Sequence, residues 1–335
     1  MLEQRFQGFT RGMKWRCLAL LLAMAGLGAV SAPVYAAAAE DGEKIIITGA
    51  SGQLGRLVVE ELLARQVPAA DLILVSRSPD ELENYAEMGA SVRFGDFTQP
   101  ASLPAAFAGG RRMLLISISG MGLDRPAMHK NAIDAAKQAG VVQIAYTSYV
   151  NADRNTQSLL AQDHRRTEMI LEQSGVAWTF LRNQIYMNGQ LAAAREAAGS
   201  GTLTTWQPDL KVAYVTREDC AAAAAAVLAT PGHDNTAYNI TGPQAVGAVE
   251  LGRAVALLSG RPVAVEAMTQ EVYIQHQIDA GVPERAARGG VGLGQELDSL
   301  WLAQPDSAVG RLTGRPATGL YEFLATQRAA WETAQ

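Results

Sequence analysis

From Lys44 onward the chain alternates short, largely apolar runs with longer stretches whose apolar residues recur every three or four positions. The short runs are Lys44–Thr48, Leu72–Ser76, Ser91–Phe94, Met113–Ser117, Val141–Ser148 and Ala177–Leu181. Their length and β-branched content predict strands, and their nearly unbroken hydrophobicity predicts strands covered on both faces. Helical spacing falls between them, over Leu57–Arg65, Asp80–Met88, Ala127–Ala139 and Arg165–Ser174. This alternation predicts an α/β fold, a doubly wound parallel sheet of Rossmann type over residues 44–183.

The rhythm changes after Asn183. Gly199–Gly201 reads as a turn, and Lys211–Thr216, Tyr238–Ile240 and Val263–Val265 as short strands. Arg217–Thr230, Glu271–Gly281, Gln295–Ala303 and Leu320–Thr333 read as helices. The alanine run Ala221–Ala226 fits a helix packed closely against a neighbour. Residues 184–335 are therefore expected to form a smaller α/β substrate lobe, some of whose strands can return to the main sheet.

The first 43 residues break this pattern. Arg5, Arg11, Lys14 and Arg16 form a basic region, an apolar run extends from Leu18 to Val30, and Val34 and Ala36 have cleavage spacing before Ala37. Residues 1–36 read as a secretory signal peptide, which implies an exported or periplasmic protein. An uncleaved leader would leave it membrane-tethered, and the apolar run is shorter than the roughly 20 residues of a span. Met13 is an alternative start that still leaves a signal. A cytoplasmic location is the remaining alternative.

The chain has 335 residues, 48% hydrophobic and 18% charged, which suits a globular protein with a full core. Its formal charge is −5, and losing residues 1–36 moves it to −8. No basic stripe remains to bind a nucleic-acid backbone. Cys17 lies in the leader and Cys220 beyond it, so the remaining chain has no internal disulfide and no metal-binding Cys/His cluster.

The strongest chemical signal is Ile45–Gly55, where Gly49, Gly52 and Gly55 are spaced Gly-x-x-Gly-x-x-Gly between a strand and a helix. Gly49 permits the tight turn, Gly52 lets a pyrophosphate approach the backbone, and Gly55 lets the helix pack on the sheet. The helix N-terminus offers free N–H groups to phosphates. The second strand ends in Ser76-Arg77, where NAD sites carry an acid for the ribose. Arg77 suits a 2′-phosphate, so the cofactor expected is NADP(H). Asp96 is placed to accept from the adenine amino group with Phe97 beside it, or else to cap a turn. Ser117-Ile118-Ser119 and Tyr146-Thr147-Ser148-Tyr149 close two further strands at the end that faces the ligand crevice.

These segments resemble the atypical short-chain dehydrogenase/reductases of the NmrA-like group, and within it the type 2 NADPH:quinone oxidoreductases and triphenylmethane reductases. The resemblance rests on the glycine turn, Val75–Pro79, Arg93–Phe97, Leu114–Ser117, Ile144–Ser148, His164–Glu168 and Thr179–Tyr186, and extends through Thr216–Asp219 and Tyr238–Gly242. It covers residues 44–260 well and the rest loosely. It implies that Gly49, Ala50, Ser51, Gly52, Gln53, Leu54 and Arg77 hold the phosphates. It implies that Ser117, Ile118, Ser119, Tyr146, Thr147, Ser148, Tyr149, Arg182 and Asn183 line the ribose and nicotinamide. Tyr186 would stand at the edge of the substrate cavity.

Short-chain dehydrogenases ordinarily use Tyr-x-x-x-Lys, in which lysine lowers the tyrosine pKa for proton donation. Here Val150, Asp153 and Gln190 stand four residues after Tyr146, Tyr149 and Tyr186. Reduction of quinones or dyes needs mainly that hydride donor and acceptor meet face to face. His164 and Glu168, one helical turn apart, would face the cleft together with His164 as proton donor, or else lie on a solvated face with Arg165 and Arg166. The sequence thus predicts an NADPH-dependent reductase of an electrophilic small molecule, quinone- or dye-like, with Tyr186 and His164 as catalytic candidates and no metal. A non-catalytic NADP(H)-sensing regulator is the alternative, with an exported sugar-nucleotide or isoflavone-type reductase as a third. A homodimer is left open. An exported protein would have to acquire its NADPH outside the cytoplasm.

Overall fold

The computed structural model describes residues 43–119 and 123–331. The leader expected over residues 1–36 lies outside the described residues.

Seven strands form the main sheet: β1 (Lys44–Thr48), β2 (Leu72–Ser76), β3 (Ser91–Phe94), β4 (Gly110–Leu115), β5 (Gln143–Tyr149), β6 (Ala177–Asn183) and, after one strand placed elsewhere, β8 (Thr236–Ile240). Their order is β3-β2-β1-β4-β5-β6-β8, and every pairing is parallel. All residues of β2 and β5 are buried, as expected of strands with helices on both faces. The order reverses between β1 and β4, and ligands bind outside the carboxyl ends of strands at such a reversal.

α2 (Glu83–Glu87) buries Tyr85 in the cluster that contains Ile45 and Leu74, and on the other face of the sheet lie α3 (Leu103–Phe107), α4 (Arg125–Gln138) and α5 (Leu159–Ser174). The last three cover Ile46, Met113, Ile144 and Phe180. Opposite them, α1 (Gln53–Ala64) packs against α7 (Arg217–Ala229) over Ile45, Ile47, Leu74 and Leu181. All six alanines of Ala221–Ala226 are buried in α7, because a methyl-only surface lets α1 and the sheet both approach it closely.

The second body contains α6 (Leu191–Ser200), β7 (Thr202–Thr205), α8 (Ala248–Ser259) and β9 (Ala264–Ala267), with β7 and β9 parallel. Next come α9 (Gln270–Asp279), α10 (Glu284–Gly294), α11 (Ser299–Leu302), α12 (Ala308–Thr313), α13 (Leu320–Thr326) and α14 (Arg328–Trp331). The segment after residue 184 is split between both bodies. Its α7, β8 and α12 return to the main sheet, and Asp219 in α7 holds Arg315 and the Thr318 N–H.

Three sequence expectations need correction. Lys211–Thr216 is no strand: Val212 and Val215 make only isolated bridges to Val246 and Tyr186, and the Ala213 N–H turns to the Leu302 carbonyl. The helix expected over Gln295–Ala303 is broken by Asp298, whose carboxylate caps the short α11, while α10 precedes it. Leu320–Thr333 divides at Gln327 into α13 and α14.

Candidate active site

β1 delivers the chain to Gly49, whose φ of +61° is left-handed backbone that glycine adopts without strain. The Gly52 N–H then bonds the Gly49 carbonyl at 2.9 Å, and the Ala50 N–H bonds Val75 on β2 at 3.1 Å. A Cβ on Gly55 would overlap the Gly49 carbonyl oxygen and lie 2.8 Å from the Ala50 Cα. Glycine at this position is what lets α1 start against the turn.

The start of α1 is unlike those of its neighbours. Asp124, Ser158 and Thr216 cap α4, α5 and α7 with side-chain oxygens. Gly52 caps α1 with none, no acid occupies the first turn, and Gly52 and Gln53 are exposed. Unsatisfied N–H groups and the positive end of the helix dipole therefore face outward, a site for a phosphate anion.

Next to this turn, Ser76 Oγ lies 2.7 Å from Ser51 Oγ and accepts the Ser78 N–H at 2.9 Å. The end of β2 is thereby tied to the turn and presents Arg77, which is exposed and forms no ion pair among the described residues. Asp96 serves its own turn, accepting the Thr98 N–H and hydroxyl at 2.9 Å each. Burial pushes its carboxyl up, but those bonds and the charge of Arg77 hold it below its ordinary value. Among the described residues only a 3.4 Å contact from Gln99 reaches the other oxygen, which is left able to accept from a further donor. Phe97 is buried edge-on to His129, so it supports the site from beneath.

Ser117, Ile118 and Ser119 follow the end of β4 and are held from α4 and β5. Thr147 Oγ1 accepts the Ser117 N–H at 2.8 Å and donates to Ser117 Oγ at 3.2 Å. The Ile118 N–H donates to His129 Nε2 at 3.1 Å, and Arg125 Nε donates to the Ile118 carbonyl at 2.9 Å. Because Nε2 accepts, the His129 proton sits on Nδ1, facing Thr167 Oγ1 at 3.0 Å. Burial, reinforced by Arg125, lowers the His129 pKa to about 3. Nothing in the sequence marks His129 and Arg125 as site residues, because a lone histidine and arginine inside a helix look like any others.

Tyr146 and His164 do not line the crevice as expected. Tyr146 is fully buried in the core, and its hydroxyl lies 2.8 Å from His164 Nδ1. Burial, with Arg125 and His129 nearby, drives the His164 pKa well below 6.5. His164 is buried against Tyr146 rather than facing the crevice, and burial disfavours its charged form, so the proton-donor expectation is corrected. Tyr149 stacks on the same ring with centroids 6.0 Å apart, and burial raises its pKa too.

Glu168 does not face the cleft either. It is fully buried and accepts from Ser148 Oγ at 2.7 Å, from Arg182 Nε and Nη2 at 2.8 and 2.9 Å, and from Arg165 at 3.2 Å. Arg182 also reaches Asp153 at 2.9 Å. Ser148 and Arg182 are thus held by a buried carboxylate, an arrangement that keeps the end of β5 in register with the end of β6.

Asn183 ends β6. It is 6% exposed, and its Oδ1 is buried with no partner among the described residues. Tyr186, just beyond, lies under the Arg217 guanidinium, 4.9 Å from ring centre to Cζ. Burial raises the Tyr186 pKa, with Asn183 as a hydrogen-bond partner opposing the rise. An orphaned acceptor, an open helix N-terminus and a free guanidinium fit NADP(H): Asn183 toward the carboxamide, α1 toward the pyrophosphate, Arg77 toward the 2′-phosphate.

Comparison with known proteins agrees with this geometry. Residues 49–231 match the NAD(P)H-binding family. The chain is 35% identical to quinone oxidoreductase 2 of Escherichia coli over 280 residues, covering 84% of this chain and 97% of that one. It is 30% identical to the NAD(P)H azoreductase of Xenophilus azovorans, covering 87% and 100%. The structure of the Citrobacter triphenylmethane reductase complexed with NADP(H) superposes with a TM-score of 0.78 at 33% identity, covering 84% of this chain and 99% of that one.

Proposed function

The chain belongs to the NAD(P)H-binding, NmrA-like branch of the atypical short-chain dehydrogenase/reductases, and from that premise we propose that it reduces quinones or related conjugated acceptors by direct hydride transfer, without a Tyr/Lys pair. It is an NAD(P)H-dependent oxidoreductase and its cofactor is NADP(H).

The observation that carries the proposal is the set of strand-end tyrosines without a lysine. Tyr146, Tyr149 and Tyr186 all have raised pKa values, and no lysine acts on any of them. Lys130, Lys137 and Lys211 are bound to Asp134, Ser174 and Glu250, and Lys44 opens β1 at the end away from the turn. Among the described residues nothing activates a tyrosine for alcohol chemistry.

A quinone asks less of the protein, because its own conjugation stabilises the charge that develops. NADPH supplies the hydride when bound. The residues named above orient the reactants: α1 and Arg77 fix one end of the site, and the His129-braced segment Ser117–Ser119 and Asn183 shape the other. Tyr186 borders the acceptor side. Burial disfavours the charged form of both His129 and His164, so neither stands as a charged acid at neutral pH, and one proton per turnover drawn from solvent completes a two-electron, two-proton reduction to hydroquinone. Purified protein should oxidise NADPH with a simple benzoquinone. Tight NADP(H) binding with no turnover across quinones and dyes would overturn this reading in favour of a dinucleotide sensor.

We propose further that residues 1–36 are a secretory leader, on the basic, apolar and small-residue order of that segment alone.

A further inference from the structure

A cavity of about 370 Å³, half open to solvent, lies in the second body, lined from β7, α6, α8, α9 and α10. That is within the size range of small-molecule sites. Trp206 and Tyr273 contribute aromatic faces, and Gln190 and Gln277 reach it with amides that make no side-chain hydrogen bond among the described residues. None of its lining residues is Asp, Glu, Lys, Arg or His. Glu196, close enough to raise the Tyr273 pKa, is engaged with Thr204 and His276 and is not in the lining.

The cavity adjoins the strand ends. Tyr214 is part of its wall and also packs in the cluster that contains Tyr149 and Val150. Gln190 closes the short turn Met187–Gln190 that directly follows Tyr186. The α10 wall is built around glycines. A Cβ on Gly294 would lie 2.6 Å from the Trp206 ring, so this glycine lets the indole lie against the helix. A Cβ on Gly290, also in the lining, would meet nothing within 4 Å.

We propose that this cavity seats an uncharged, flat, conjugated acceptor and rejects one of the same shape bearing an anionic group. The inference rests on the reductase reading and deepens it. Aromatic faces hold the ring system, and the two free amides donate to its carbonyl oxygens. A sulfonate or carboxylate seated against these faces would shed part of its water and find no cationic side chain in the lining in exchange.

The test compares 2-methyl-1,4-naphthoquinone with 1,4-naphthoquinone-2-sulfonate, using the purified protein and NADPH. The sulfonate is the stronger electrophile, yet its kcat/KM should be lower by about tenfold or more, since an ion buried without a partner costs that much or more. Gly290→Leu fills the open space and should raise KM for the neutral quinone by about fivefold or more, as expected for a blocked apolar pocket. The Kd for NADPH should not change. Ala286→Lys, at an exposed lining position, should raise kcat/KM for the sulfonate by about fivefold while leaving the neutral quinone behind. A sulfonate used within about threefold of the neutral quinone, or a KM indifferent to Gly290→Leu, would overturn the proposal. If neither quinone is reduced, the reductase reading fails and binding decides alone. Quenching of tryptophan fluorescence by the neutral quinone but not the sulfonate, lost in Trp206→Phe, supports the cavity, and its absence overturns it.

Discussion

The Arg182 guanidinium grips the Glu168 carboxylate at two points, 2.8 and 2.9 Å, where the carboxylate has no exposure to solvent. Glu168→Gln keeps the shape but leaves Arg182 and Arg165 facing a neutral amide. A broken buried pair costs on the order of 3 kcal/mol, because the surviving charge loses its partner. The urea midpoint should fall accordingly, with NADPH affinity falling as Ser148 and Arg182 loosen. An unchanged midpoint would show that the pair does not brace β5 and β6.

Gly55→Ala places a methyl against the Gly49 carbonyl. Overpacking of this kind costs about 1–3 kcal/mol. The turn rather than the distant lobe should give way, so NADPH affinity should drop further than thermal stability does. Calorimetric titration beside a thermal melt reads both.

Arg77→Ala should weaken NADPH binding by about tenfold, the loss of one charge-assisted contact to a phosphate. NADH, which lacks the 2′-phosphate, should bind as before. Equal losses for both cofactors would remove Arg77 from the 2′-phosphate site.

Acid should destabilise the fold through two histidines. In the unfolded chain each takes up a proton near pH 6.5, whereas folded His129 does so only near 3 and folded His164 well below 6.5. Between those values the unfolded state carries more protons, so stability is lost as pH falls from 6.5. The slope is about 1.4 kcal/mol per pH unit for each histidine. His164→Asn, whose amide oxygen can accept from the Tyr146 hydroxyl, should remove about that much slope between pH 6.5 and 5 in denaturant melts. A profile identical to that of the parent would mean that His164 is charged in the fold.

N-terminal sequencing of the native protein should find Ala37 first. An intact Met1 or Met13 on protein from the soluble cytoplasmic fraction would refute the leader.

Much of the main sheet was legible because its strands carry their own signal. Leu72–Ser76 has the expected limits, since five consecutive buried positions leave no competing period, and Ser91–Phe94 has them although its residues are only partly buried. The turn was legible because three glycines at fixed spacing have few other physical uses. The second body was less so. Thr202–Thr205 is four residues with a single leucine, too short to show alternation, and Lys211–Thr216 alternates like a strand but lies between two bodies that each take only a few of its backbone groups. Within the crevice, the sequence gives strand ends but not which way they point. Adjacent strand residues face opposite sides, so Tyr146 and Thr147 cannot both turn the same way. The burial of His164 and Glu168 depended on tertiary partners, Tyr146 and Arg182, far off in sequence.

The return of β8 and α12 to the main sheet has a mechanical consequence. The chain crosses between the two bodies near Ile185, Thr216 and Gly242, and again where Asp306 bonds Thr241 and Thr318 bonds Asp219. A body tethered by one strand can swing like a door, but one stitched at several separated points is confined to small shear. Capture of an acceptor here would then be lock-like, its pace set by entry into a standing chamber, and the cavity-bearing body could not be grafted or expressed apart from the sheet that anchors it.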